Sequence, residues 1–164
     1  MATDEATEAL VALRRIVRYL RLADRKAEVA CGLSAAQLFV LETLFASPAL
    51  SQAELAAHTL TDQSSVSTVV AKLIERGLVA RAVSQRDRRR VELSLTVAGE
   101  RTLAKAPKMP QASIIAAVRA MPAARRAELV RALEGLATAI GADEVAPRML
   151  FDEEPATTRT RKRT

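Results

Sequence analysis

The sequence predicts a mostly helical protein that carries one small β-hairpin. Apolar residues recur at intervals of three and four along much of the 164-residue chain, as they do on one face of an α-helix. Residues 91–95 instead alternate apolar and polar with a period of two, which is typical of a half-buried strand. With 49% hydrophobic residues, the chain is long enough for one domain of ordinary size or for two small ones that share a core.

Start and stop signals divide the first half of the chain into four predicted helices. Their bounds are residues 5–29, 34–46, 52–58 and 62–76. The third helix has the clearest start, because Ser51 and Glu54 have the spacing of a capping box. The fourth ends before Gly77, which supplies a left-handed C-terminal cap.

The fourth predicted helix has one apolar and one polar face. The polar face combines small hydrogen-bonding side chains with one lysine, a set that allows close approach to another surface: Gln63, Ser64, Ser65, Ser67, Thr68 and Lys72. A short helix, a turn and a longer helix with an exposed polar face form a helix-turn-helix arrangement. The same pattern also describes ordinary helical hairpins.

A predicted hairpin follows this helix directly, with strands over residues 78–83 and 91–95. Its tip and return limb carry a cluster of charged residues: Arg86, Asp87, Arg88, Arg89 and Arg90. Four arginines in five positions repel one another unless an anion compensates them. We therefore interpret the segment as a winged helix whose wing contacts double-stranded DNA, with a solvated charged loop as the alternative.

Charge distribution supports this interpretation. The net charge is +6, yet residues 81–90 and 155–164 each contribute +4, so the rest of the chain sums to −2. A concentrated basic footprint is typical of nucleic-acid-binding proteins. Because aromatic residues make up only 2% of the chain, binding of single strands by base stacking is disfavoured.

The segment LTDQSSVSTVVAKLIERGLVARAVSQRDRRRVELSLTVAGE resembles the winged-helix core of the MarR family of bacterial transcriptional regulators. GLSAAQLFVLETL and SQAELAAHT occupy the places of that family's second and third helices. The shared positions are a helix-ending glycine, a D-x-R wing and an L-T-x-x-G close: Gly77, Asp87 with Arg89, and Leu95, Thr96 and Gly99. The resemblance implies that Arg89 enters the minor groove, that Asp87 orients it, and that the preceding helix enters the major groove.

The C-terminal part is predicted to be helical and interrupted by prolines. Thr96 is placed as the N-cap of a helix to about residue 106, before Pro107 and Pro110. A later apolar stripe comprises Leu129, Leu133, Leu136 and Ile140. Together with a stripe on the first helix, it is more apolar surface than a small winged helix can cover, so an intrachain helical pair or a homodimer must bury it. The resemblance implies a homodimer.

Four regions follow from these elements. We expect an N-terminal dimerisation helix within 1–33, a winged helix-turn-helix DNA-binding domain over 34–106 and C-terminal dimerisation helices over 107–142. Residues 143–164 form a tail, acidic and then basic, that we expect to be disordered at its end.

The inventory of reactive side chains argues against an enzyme. His58 is the only histidine, Cys31 is the only cysteine, and no HExxH, GxGxxG or phosphate-loop pattern occurs. We therefore expect no cofactor and no metal, and we place His58 at the surface of a helix end. The acidic N-terminus, the lack of a long apolar run and the single cysteine predict a cytoplasmic protein with no membrane partner.

The resemblance also implies a switch. Such repressors are released from palindromic operators by a small phenolic or lipophilic effector, bound between the dimerisation helices and the DNA-binding lobe. Tyr19, Cys31 and Phe39 fall on the elements that line such a pocket. Two alternatives stay open: a thiol-based redox sensor that uses Cys31, and a winged-helix protein-interaction module without DNA binding.

Overall fold

The computed structural model describes residues 4–85 and 87–145. Its elements are α1 (Glu5–Cys31), α2 (Ala35–Ala46), α3 (Gln52–Thr59), α4 (Gln63–Glu75), β1 (Val79–Val83), β2 (Val91–Leu95), α5 (Val97–Lys105), α6 (Pro110–Ala120) and α7 (Ala123–Ala139), followed by a 3-10 turn at Ala142–Glu144. The predicted fold class, mostly helical with one small β-hairpin, is confirmed.

The helix ends lie where local capping signals place them. Ser34 and Ser51 each form a complete capping box, and in the second the backbone N–H of Ser51 donates to Glu54 Oε2 over 2.8 Å. The first helix extends to Cys31, two residues beyond the predicted end, because Gly32 (φ 65°) supplies the left-handed cap there.

Helix α2 forms the centre of the hydrophobic core. Its side chains Leu38, Leu41 and Leu44 are almost fully buried, and they pack with Leu55 of α3 and Leu73 of α4. The helices of the helix-turn-helix unit are therefore held from inside by one continuous core, which leaves their outer faces available for other contacts.

The hairpin is antiparallel, with Val79 opposite Leu95 and Val83 opposite Val91. The tip of the hairpin therefore lies between Val83 and Val91. In the middle of β2, the backbone N–H of Leu93 donates to Leu50 O over 2.8 Å, which joins the hairpin to the segment between α2 and α3. The direction of the wing is thus fixed relative to the helices.

Three of the family-like positions form one contact network. The Thr96 hydroxyl donates to Gly77 O over 2.7 Å and accepts from the backbone N–H of Gly99 over 3.0 Å. A Cβ atom at Gly99 would lie 2.2 Å from Leu78 O, so only glycine fits there. The L-T-x-x-G sequence therefore locks the end of β2 onto the turn that follows α4.

The terminal helices leave apolar surface uncovered. Helix α7 buries none of its residues, and Leu133 is half exposed, with Leu136 and Ile140 also exposed. On α1, Leu10 and Val17 are exposed in the same way. Within the described residues, the two stripes do not cover each other, contrary to the alternative of an intrachain pair.

Across residues 4–85 and 87–145, no single helix is both long and apolar enough to cross a membrane. Only α1 and α2 taken together reach the required length and composition, and a bend of 76° separates them. Helix α2 is also a buried core helix.

Candidate nucleic-acid interface

The outer face of α4 carries most of the polar residues that the sequence singled out. Gln63, Ser64 and Thr68 are exposed, and Ser67 and Lys72 are half-buried. The opposite face of the helix packs into the core through Val66, Val69, Val70 and Leu73. The hydrophobic effect thus holds the helix with its polar face outward.

Ser65 does not belong to this face, and its prediction as a DNA contact is wrong. Its residue surface is only 4% exposed, and it lies on the core side of α4, one turn before Val69. The polarity of a serine suggested the outer face, but helical rotation places position 65 with the buried stripe.

The start of α4 is an ionised capping site. Asp62 is the N-cap, and its Oδ1 accepts from the backbone N–H of Ser65 over 2.9 Å and from the hydroxyl of Ser64. These hydrogen bonds, that from Ser64 foremost, hold the pKa of Asp62 far below its usual value. A carboxylate therefore occupies the helix N-terminus at all physiological pH values.

The tip of the wing presents arginines to solvent. Arg88 and Arg89 are exposed, while Arg86 lies outside the described residues. Asp87 shapes the turn at the tip through two hydrogen bonds. Its Oδ1 accepts from the backbone N–H of Arg89 over 2.9 Å, and its carbonyl oxygen accepts from the backbone N–H of Arg90 over 2.9 Å. The contact of Asp87 with Arg89 therefore acts on the backbone, whereas the resemblance had suggested an orientation of the side chain.

Arg90, which the sequence analysis placed among the DNA contacts of the wing, is paired with acidic side chains of the protein itself. Its Nη2 lies 2.5 Å from Glu54 Oε2, and its Nε lies 3.6 Å from Glu92 Oε1. It also donates to Ala49 O over 3.4 Å. Arg90 thus joins the root of the wing to the start of α3, and its guanidinium forms ion pairs within the protein.

Sequence analysis missed Glu54 as a partner of the wing. The capping box of Ser51 and Glu54 explained this glutamate fully, and no local pattern connects it with a residue 36 positions later. Hydrogen bonds from Ser51, followed by those from Arg90, lower the pKa of the Glu54 carboxyl. The Glu54 carboxylate therefore stays ionised at neutral pH.

A cavity of about 280 Å³ lies among α2, α3 and α6. Phe39, Glu42, His58, Ile115 and Arg119 are among its lining residues. The helix-turn-helix unit bounds it on one side and a C-terminal helix on the other, which is the general position that the family resemblance implies for an effector. His58 is exposed near the end of α3, as predicted.

Of the three predicted effector residues, only Phe39 lines this cavity. Tyr19 is 56% exposed on α1, and Cys31 packs against the core with its thiol donating to Ala27 O over 3.1 Å. The cavity therefore does not bring the three residues together.

Glu42 is the unusual ionisable group of this cavity. Burial raises its pKa above the usual value, against the opposing effects of a hydrogen bond from the Met109 backbone and the charge of Lys108. Met109 N–H donates to Oε1 over 3.2 Å, while Oε2 is buried without a hydrogen-bond partner. Among the described residues, no three His, Cys, Asp or Glu side chains converge to hold a metal ion.

Sequence comparison identifies relatives that match part of this chain. Residues 32–90 match the MarR family. An HTH-type transcriptional repressor from Mycobacterium tuberculosis is 32% identical over 105 residues, which are 64% of this chain and 76% of that protein. The HTH-type transcriptional regulator BilQ of Clostridium symbiosum is 35% identical over 75 residues, 46% of this chain and 52% of BilQ.

Solved structures with the same architecture cover nearly the whole described region. The transcriptional regulator PcaV from Streptomyces coelicolor superposes with a TM-score of 0.55 at 25% identity, over 85% of this chain and 99% of PcaV. BpsR from Bordetella bronchiseptica gives a TM-score of 0.55 at 26% identity, over 84% of this chain and 98% of BpsR. With the winged-helix geometry described above, these matches show that the chain belongs to the MarR family of DNA-binding transcriptional regulators.

Proposed function

We propose that this protein is a homodimeric, sequence-specific repressor that binds a palindromic double-stranded DNA operator and is released by a small phenolic or lipophilic effector. One observation carries the proposal. A helix whose inner face is buried presents Gln63, Ser64 and Thr68 outward, and a hairpin with Arg88 and Arg89 exposed at its tip follows it directly. This arrangement supplies a helix for the major groove and cations for the minor groove.

Two proposed assignments divide the chain. Residues 34–106 would bind DNA, while the helices within 1–33 and 107–142 would form the dimer. The support for the dimer is the exposed apolar stripe of α7 together with that of α1. Pairing with a second copy removes both stripes from water, and a two-fold dimer matches a palindromic operator.

The repressor role and the effector are inferred from relatives and from the cavity. The Mycobacterium tuberculosis relative is named a repressor. PcaV has been solved with its natural ligand, and the DNA binding of BpsR is regulated by 6-hydroxynicotinic acid. In this chain, the cavity beside Phe39 lies where an effector would separate the DNA-binding unit from α6. We infer a cytoplasmic, non-enzymatic regulator.

Operator affinity, measured for dimeric and monomeric forms of the protein, tests the proposal. Sequences selected from a random duplex library should contain two half-sites about one helical turn apart, bound by two protomers. Leu133→Glu with Leu136→Glu should convert the protein to a monomer that binds the full site weakly, while Glu134→Gln on the same helix leaves the dimer intact. Full-affinity binding by the monomer would contradict the dimeric function.

A further inference from the structure

The direction of two hydroxyl protons on the outer face of α4 determines what that face can recognise. A serine or threonine hydroxyl has one proton to donate and two lone pairs to accept with. When the proton is committed inside the protein, the hydroxyl can only accept from a ligand. This distinction separates possible DNA contacts.

Ser64 has its proton committed to Asp62. The Ser64 hydroxyl contacts Asp62 Oδ1 at the N-cap of α4. Because that carboxylate is ionised, it has no proton to give, so the serine must be the donor. The outward lone pairs of Ser64 are then the groups that face solvent.

Thr68 lies one turn later and is arranged in the same way. Its Oγ1 donates to the backbone oxygen of Ser64 over 3.1 Å, and the residue is exposed. Ser64 and Thr68 therefore present two successive acceptors along the outer face of the helix.

Phosphates are poor partners for such a surface. Phosphate oxygens only accept hydrogen bonds, so an acceptor-only hydroxyl cannot bind them without losing its internal bond. The charge of Asp62 adds repulsion at the same end of the helix. The major-groove edges of guanine and the O4 atom of thymine are acceptors as well.

We propose that Ser64 and Thr68 accept hydrogen bonds from exocyclic amino groups in the major groove, so that α4 selects adenine or cytosine at the two contacted positions of each half-site. Adenine offers its N6 amino group and cytosine its N4 amino group there. This inference rests on the proposed DNA binding and adds the chemistry of the recognised bases. It assigns these two residues to base recognition instead of phosphate anchoring.

Removal of single amino groups from the operator tests the assignment. In the sequence selected by the wild-type dimer, each adenine of a half-site is replaced in turn by purine, and each cytosine by 2-pyrimidinone. Both replacements delete the amino group and keep the ring. Binding is measured for wild type, Ser64→Ala, Thr68→Val and the neighbouring control Gln63→Ala.

At one position, loss of the amino group should weaken wild-type binding about two- to tenfold, the effect of one hydrogen bond. Ser64→Ala should bind the intact operator more weakly by a similar factor, and removal of that amino group should not weaken its binding further. Thr68→Val should show the same behaviour at a second position. Gln63→Ala should keep the wild-type sensitivity at both. A sensitive adenine would identify N6 as the donor, and a sensitive cytosine N4.

Two results would overturn the inference while leaving DNA binding intact. In one, the loss of binding free energy caused by the protein substitution adds to the loss caused by the base replacement at every position. In the other, Ser64→Ala and Thr68→Val weaken binding to operator and to random DNA equally, as phosphate contacts would. Failure of the wild-type dimer to enrich any sequence would instead overturn the proposed function, and the inference with it.

Discussion

The guanidinium of Arg90, at the root of the wing, lies 2.5 Å from the carboxylate of Glu54 at the start of α3. Glu54 also completes the capping box with Ser51, so one carboxylate caps a helix and holds the hairpin. A wing that carries arginines must be held against their mutual repulsion, and this pair supplies an attachment outside the backbone ladder.

Loss of this pair should affect DNA binding more than folding. Arg90→Gln or Glu54→Gln should weaken operator binding severalfold, with little change in melting temperature because the pair is partly exposed. Glutamine at position 54 can still complete the capping box. The double variant should bind no more weakly than either single variant in fluorescence anisotropy at fixed salt. Arg81→Gln, an exposed change of equal charge, is the control, and additive losses would contradict the coupling.

Arg89→Ala should weaken operator binding by about 1–3 kcal/mol without affecting the fold. The residue is exposed at the tip, and the buried Leu93 that anchors the hairpin is unchanged. Gel-shift titration gives the affinity, and thermal unfolding provides the control. The log–log salt dependence of the wild type should have a slope of about −0.9 for each phosphate neutralised. Unchanged affinity would show that Arg89 does not contact the operator.

Asp87 offers two variants that separate turn geometry from charge. Asp87→Asn keeps an oxygen that can accept from the Arg89 backbone N–H, whereas Asp87→Ala removes it. Both raise the net positive charge equally. We expect Asp87→Ala to lose specific binding while its binding to random DNA stays equal or tightens, and Asp87→Asn to retain both. Equal tightening of operator binding by both variants would leave only a charge effect.

Glu42 should make stability depend on pH. Burial raises its pKa in the folded state. Between pH 4.5, the ordinary pKa of the group, and the raised pKa, the folded protein therefore binds more protons than the unfolded one. The stabilising contribution of the protonated group is complete below 4.5 and is lost as pH rises through the folded pKa. Glu42→Gln should therefore become more stable relative to wild type over that rise. Urea unfolding at several pH values measures the difference, and a difference independent of pH would exclude this role.

Two glycines should respond in opposite ways to alanine. Gly99→Ala places a Cβ atom against Leu78 O, so we expect a loss of about 1–3 kcal/mol in unfolding free energy. A Cβ atom added at Gly135, inside α7, would meet no atom within 4 Å beyond the adjoining residues and backbone of its own helix, so Gly135→Ala should stabilise the helix by about 0.5–1 kcal/mol. Chemical denaturation of both variants provides the comparison. A tolerated alanine at position 99 would show that the turn can shift.

Local chemistry determined the helices and the hairpin, and for this reason they could be predicted. Ser51, Thr96 and Gly77 act through hydrogen bonds or backbone angles within a few residues, and Leu93 follows the period of its own strand. The polar outer face of α4 was accessible in the same way. Ser65 was misplaced because its polarity was given more weight than its position, although the helical period puts it one turn before Val69, on the buried side.

Contacts between distant segments were decided by the tertiary structure alone. The sequence presented Arg90 as one more arginine of the wing, and folding placed it beside Glu54. The sequence likewise identified Thr96 only as a helix N-cap, and folding also placed its hydroxyl against Gly77 O, 19 positions earlier in the chain. The physical reason is the same in both cases. Helix and strand periodicity is encoded by neighbours along the chain, whereas the partner of a charge or a hydroxyl depends on which atoms the fold brings within hydrogen-bonding distance.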